Sequence, residues 1–98
     1  MIHADARRLA ESHLKAREKA TGHELAIDDE ETISFEYGWL FFYNTAAFLS
    51  SRDDMDRLVG NAPIFVDKET AGLRLTDTGY PPQDYIAEII REKRGGSG

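Results

Sequence analysis

The sequence predicts one α+β domain: a four-stranded antiparallel sheet with an N-terminal and a C-terminal helix packed on one face. Three observations predict it. Apolar residues recur at steps of three and four at both ends of the 98-residue chain. Between the ends the period falls to two, the spacing of strands. Only residues 44 to 63 leave room for the long crossover that parallel strands need, so the sheet is antiparallel.

Ile2, Ala6, Leu9, His13, Ala16 and Ala20 mark the first helix, expected from about Asp5 to Thr21-Gly22. Glycine there can take the left-handed conformation that closes a helix. Its narrow, alanine-rich face should lie close against a sheet. Leu25 and Ile27 then alternate with Glu24, Ala26 and Asp28, giving a strand, and Asp28-Asp29-Glu30-Glu31 reads as an acidic hairpin tip. On the returning strand Ile33, Phe35, Tyr37, Trp39, Phe41 and Tyr43 share one face, assigned to the core. Ser34, Glu36, Gly38, Leu40, Phe42 and Asn44 take the other, which turns from polar to apolar halfway along.

Thr45 to Ser51 reads as a short helical turn or an irregular link, and Asp53, Asp54 and Asp56 open a second acidic segment with one more helical turn. Gly60-Asn61-Ala62-Pro63 is a turn. Ile64 to Asp67 and Leu73 to Thr76 form a short hairpin, with Gly72 supplying the permissive backbone. Pro81-Pro82 suits the first turn of a last helix, whose apolar stripe is Ile86, Ile89, Ile90 and the stem of Lys93, beside Tyr85. Residues 1–94 therefore make one domain, and Gly95-Gly96-Ser97-Gly98 is a flexible tail or a cloning remnant.

Composition narrows the chemistry. With no cysteine there is no disulfide, thiolate nucleophile or cysteine-held metal. The charged start, Met1 to Arg8, does not read as a secretory signal, and no later run approaches a membrane span, so the cytoplasm is the expected compartment. The net charge of −6 is concentrated in residues 24–84, which sum to −9. Such a middle repels phosphate backbones and anionic lipid, and speeds encounter with a basic protein. The same charge would also serve solubility alone.

No constellation of residues marks a catalytic, metal or cofactor site. His3, His13 and His23 lie ten residues apart, which on a helix turns each about 80° from the last and spoils a shared metal site. The run Asp28–Glu31 lacks the alternating ligands and central glycine of a calcium loop. Gly60 and Gly72 stand alone, so no phosphate-binding loop forms, and no serine sits in a nucleophile elbow. The aromatics are interleaved with Glu36 and not with Lys or Arg, which opposes nucleic acid and favours core packing for Trp39, Phe41 and Tyr43. The candidate partner-binding residues are the acidic Asp28, Asp29, Glu30, Glu31, Asp53, Asp54 and Asp56, with Leu40 and Phe42 as an apolar centre. The bland alternatives are a solvated hairpin tip and acidic residues favouring a helix start.

The stretch Tyr37-Gly38-Trp39-Leu40-Phe41-Phe42-Tyr43-Asn44, followed by Gly60-Asn61-Ala62-Pro63-Ile64-Phe65-Val66-Asp67-Lys68 and a turn containing Gly72, resembles the immunity protein 35 family, also described as YrhB-like domains. The resemblance runs from about residue 4 to 92. Where the family often has Thr-Gly after Val-Asp-Lys, this chain reads Thr70-Ala71-Gly72. The resemblance implies a bacterial immunity protein made beside a polymorphic toxin, often one like a papain-type peptidase, and neutralising it by direct binding. It implies no catalytic residue. The matched residues look like scaffold, with Gly38 admitting a close backbone, Trp39 filling the core and residues 60–63 shaping a turn.

Two other readings compete with a toxin-binding partner. A holdase-like chaperone would need a broad apolar patch and would suppress aggregation of unrelated clients. An enzyme that removes a toxin's modification would act in catalytic amounts without a stable complex. An open sheet edge would also permit a homo-oligomer.

Overall fold

The computed structural model describes residues 2–57, 62–76 and 81–95. Their order is α1 (His3–Thr21), β1 (Leu25–Phe35), β2 (Gly38–Thr45), α2 (Ala46–Ser51), a 3-10 turn (Asp54–Asp56), β3 (Ile64–Asp67), β4 (Leu73–Leu75) and α3 (Pro82–Gly95). The strands form one sheet in the order β1-β2-β3-β4, every neighbouring pair antiparallel. The expected α+β architecture is therefore present. Gly60 and Asn61 of the expected turn, and residues 96–98, lie outside the described residues.

α1 begins two residues before the expected Asp5 and ends as its sequence implies. Gly22 closes it at φ 75°, donating its N–H to the Glu18 carbonyl at 2.9 Å. Ala6, Ala10 and Leu14, four residues apart along the helix, are fully buried. The two alanines let the helix axis approach the sheet closely. Beneath it lie Leu25, Ile27, Trp39, Phe41, Tyr43, Ile64 and Val66, and the His3 ring stacks on Phe41 at 5.7 Å.

The path between Leu25 and Tyr43 differs from the expected one. The hairpin turn is Glu36-Tyr37, where Phe35 faces Gly38 across the ladder. The acidic run is instead a bulge inside β1: Asp28 pairs with Phe42 and Ile33 with Leu40. Five steps along β1 thus match two along β2, and the odd number of extra residues reverses which side chains point to which face. Leu25 and Ile27 point toward α1, whereas Ile33 and Phe35 share the opposite face with Leu40 and Phe65. The single odd-numbered core face is thereby corrected: Trp39, Phe41 and Tyr43 lie under α1, while Ile33, Phe35 and Tyr37 belong to the second face.

That second face receives α3, so the helices lie on opposite faces of the sheet and not on one. Ile89 is buried against Leu40 and Phe65, with Ile86 packed alongside. Polar contacts fix the far end of the helix. The Lys93 ammonium lies 2.6 Å from Asp67 Oδ2, Arg74 donates to Glu92 at 2.9 Å and Arg94 to Glu36 at 3.2 Å. Asp67 also accepts the backbone N–H of Glu69 at 2.8 Å and of Thr70 at 3.2 Å, so one carboxylate holds both α3 and the β3–β4 turn. Burial pushes this carboxyl up, but the Lys93 ammonium and the two N–H groups outweigh it and hold it below the usual carboxylate range. Gly95, assigned by sequence to the tail, is the last residue of α3.

Gly38 occupies a position that no side chain fits. A Cβ there would meet the Val66 carbonyl oxygen at 2.1 Å and a Phe65 ring carbon at 2.9 Å. In the β3–β4 turn the left-handed residue is Ala71, at φ 59°, and not Gly72.

The two sites predict opposite effects in urea denaturation. Gly38→Ala should destabilise by about 3 kcal/mol through overpacking. Ala71→Gly should stabilise by about 0.5–1 kcal/mol, the left-handed crowding relieved exceeding the entropy lost. The Asp67 carboxyl, lower in the folded than in the unfolded chain, contributes stability above its unfolded pKa that disappears as pH falls through its folded one. Asp67→Asn should therefore flatten the fall of urea midpoint below about pH 4.

Candidate functional site

The β1 bulge lies on an edge strand, with β2 as its neighbour on one side. Within it the Thr32 hydroxyl donates to the Asp28 carbonyl at 3.2 Å, closing the extra residues into a loop. The two aspartates then diverge. Asp29 faces the α1 side, where Arg7 grips it through both of its oxygens at 2.8 and 3.0 Å and also contacts Glu11. The hydrogen bond from Arg7 holds the Asp29 carboxyl below the usual carboxylate range, and the same bond raises Arg7. Asp28 shares the face of its partner Phe42 and is held by Arg52 at 3.4 Å. Glu30 and Glu31 are exposed and make no ion pair among the described residues.

The second acidic segment is folded by local capping. Thr45 caps α2, its hydroxyl oxygen accepting the Phe48 N–H at 3.0 Å while its own proton goes to the Asp56 carbonyl at 2.6 Å. Asp53 Oδ1 accepts the Met55 N–H at 3.0 Å, and Asp56 Oδ2 accepts the Ser51 hydroxyl at 3.2 Å. Asp54 opens the 3-10 turn. Met55, between these aspartates, is 91% exposed.

Arg52 joins the two segments. It ends α2 in the left-handed conformation at φ 58°, with its guanidinium 5.6 Å over the Phe48 ring and in contact with Asp28, 24 residues earlier in the chain. The structure thus brings the acidic run 28–31 and the acidic segment 53–56 to the same side of the molecule. Phe42, half-buried, stands beside Asp28. Leu40 does not belong with them. It is fully buried beneath α3 with Phe65 and Ile89, so its assignment to an exposed apolar centre is corrected.

Sequence reasoning missed Arg7, Arg52 and Met55. The arginines act on partners 22 and 24 residues away, a separation that no local pattern reports. Met55 was legible as an apolar residue among aspartates, but its exposure depends on the 3-10 turn that presents it.

Shallow grooves accompany this surface. One, between α1 and β1 and lined in part by Arg7, Leu14 and Ile27, has a volume of about 150 Å³, as does another beside Thr45, Met55 and Arg57. Both are smaller than the several hundred Å³ that enclose a typical small-molecule ligand. Among the described residues no group of three His, Cys, Asp or Glu side chains is placed to hold a metal ion, and no helix is long and apolar enough to cross a membrane.

The family model described as immunity protein 35 matches residues 4–84. The chain belongs to the immunity protein 35 family. It is also similar to an uncharacterized protein, YrhB, of Escherichia coli strain K12, at 33% identity over 59 residues. That match covers 60% of this chain and 63% of the relative, so it spans less than two thirds of the relative's length. No solved structure matches. The immunity protein 35 match takes in α1 from its second residue, all four strands and both acidic segments, so the surface described above lies within the family domain.

Proposed function

We propose that this member of the immunity protein 35 family binds a cognate bacterial toxin in the cytoplasm and neutralises it by direct occlusion, with no catalytic step. The observation that carries the placement is the Arg52–Asp28 bridge, which makes one surface of two acidic segments far apart in sequence. Glu30, Glu31, Asp53 and Asp56 are exposed there, Asp28, Asp29 and Asp54 complete the run, and Phe42 and Met55 offer apolar contact. An acidic rim around small apolar anchors fits a toxin surface rich in Lys and Arg, because opposite fields speed encounter and a desolvated centre slows release. A papain-type peptidase is the toxin class that the family resemblance favours, its active-site cleft or substrate channel being the region covered.

Expression of the toxin encoded beside this chain's gene, with and without the chain, tests the reading. The native chain should restore growth and copurify at a fixed ratio. Replacing Asp53, Asp54 and Asp56 together by lysine should weaken binding at least about tenfold, chiefly by slowing association, and the difference should shrink as salt is raised. Full rescue by the reversed chain at every salt concentration would remove this surface from the interface.

A further inference from the structure

Arg52 stands where glycine would sit more easily. It is the C-cap of α2, at φ 58° and ψ 23°, a left-handed conformation that a side chain disfavours and that helix ends commonly give to glycine. Its backbone role, donating an N–H to the Phe48 carbonyl, needs no side chain. What the side chain adds is a span. The guanidinium rests over the Phe48 ring at 5.6 Å, within α2, and reaches Asp28 in the β1 bulge at 3.4 Å. Asp28 is the least exposed partner of that pair, with 12% of its side chain accessible, so Arg52 grips the base of the bulge and leaves Glu30 and Glu31 outward. Arg57 also lies over Phe48, at 5.9 Å, but among the described residues no ion pair connects it to the bulge.

We infer that Arg52 is a positioning residue, which holds the β1 bulge and the 53–56 segment at a fixed separation so that a basic partner meets both at once. The inference rests on the proposed toxin-binding surface and adds how that surface is set. Two charged loops that move independently must be ordered when a partner binds both, and that loss of freedom weakens the complex. Arg7 already holds the bulge to α1 and Thr45 holds the 53–56 segment to β2; Arg52 reduces the remaining loss by tying the bulge directly to the helix that begins the second loop. A conservative replacement able to reach Asp28 should keep the effect, and a backbone-only replacement should lose it without harming the fold.

The absence of cysteine allows a pair of spin labels to be placed in one chain, at Glu30→Cys and Met55→Cys, both exposed positions. Pulsed electron resonance should show one narrow separation in the native chain and with Arg52→Lys, and a broad one with Arg52→Gly, while the urea midpoint is held or raised. Unlabelled Arg52→Gly should release the neighbouring-gene toxin about tenfold faster, Arg52→Lys should restore most of that difference, and Arg57→Ala should leave release unchanged. An equally narrow separation in Arg52→Gly would overturn the inference, and so would a broad separation with unchanged release. Should Glu30→Lys and Asp53→Lys leave the rate of toxin association unaltered, the reading of the surface itself fails, a result separable from the effect of Arg52 on release.

Discussion

β2 must be buried on both sides, and the rest of the domain is arranged to make that possible. Trp39, Phe41 and Tyr43 go under α1 while Leu40 goes under α3, so one eight-residue strand supplies both apolar layers. A strand covered twice needs neighbours on both edges and no protrusion where they approach. Gly38 meets that need at the first residue, where the Val66 carbonyl stands in the space a Cβ would occupy. The contact aligns β3 against β2, with Gly38 opposite Asp67. It thereby places Asp67 where Lys93 of α3 can reach it. Sheet register, the turn after β3 and the docking of the last helix thus follow from one close approach of backbones.

The bulge in β1 answers a different demand. β1 passes from one layer to the other along its length, Leu25 and Ile27 serving the α1 side and Ile33 and Phe35 the α3 side. A regular strand cannot do this, because its alternation never shifts. An odd insertion can, and the inserted residues must then be ones that tolerate water. Acidic residues suit that place and also discourage another strand from pairing along an exposed edge. The Leu25 N–H is covered in a related way, by the Glu18 carboxylate at 2.9 Å. The acidic surface is therefore a consequence of how the core is split between two helices, and its use in recognition would exploit charges the fold already requires.

Much of this was legible in the sequence because the signals were local. The alanine face and Gly22 of α1, the apolar run of β3 and the Ile86–Ile89 stripe of α3 each report their own environment within a few residues. The turn at Glu36-Tyr37 was hidden for a physical reason: it contains no Asn-Gly or Gly-rich pair, and the period-two pattern of aromatics runs through it unbroken. Both strands it joins carry large apolar residues, so alternation alone could not show that the chain reverses. Four consecutive acids looked more like a tip than the actual turn did. The side on which α3 packs, and hence the burial of Leu40, depends on tertiary contacts that periodicity cannot express. The candidate surface was legible in its acidic residues and illegible in the arginines that organise it.

Those arginines also change how the charge should be counted. Residues 24–84 carry −9 by composition, a sum that already includes Arg52, the partner of Asp28; Arg7 and Lys93, from outside that stretch, further match Asp29 and Asp67. An ion pair presents a much weaker field to an approaching protein than either of its charges alone. Among the described residues, the exposed acids at this edge with no ion pair are Glu30 and Glu31 together with Asp53 and Asp56, and the proposed attraction of a basic partner falls to them. Asp28 and Asp29 serve instead as anchor points, each turned to a different face of the sheet and each fixed to a helical element. If the proposed surface meets a basic partner, attraction and rigidity are divided among neighbouring acids of one short segment, Glu30 and Glu31 supplying the field and Asp28 and Asp29 the frame.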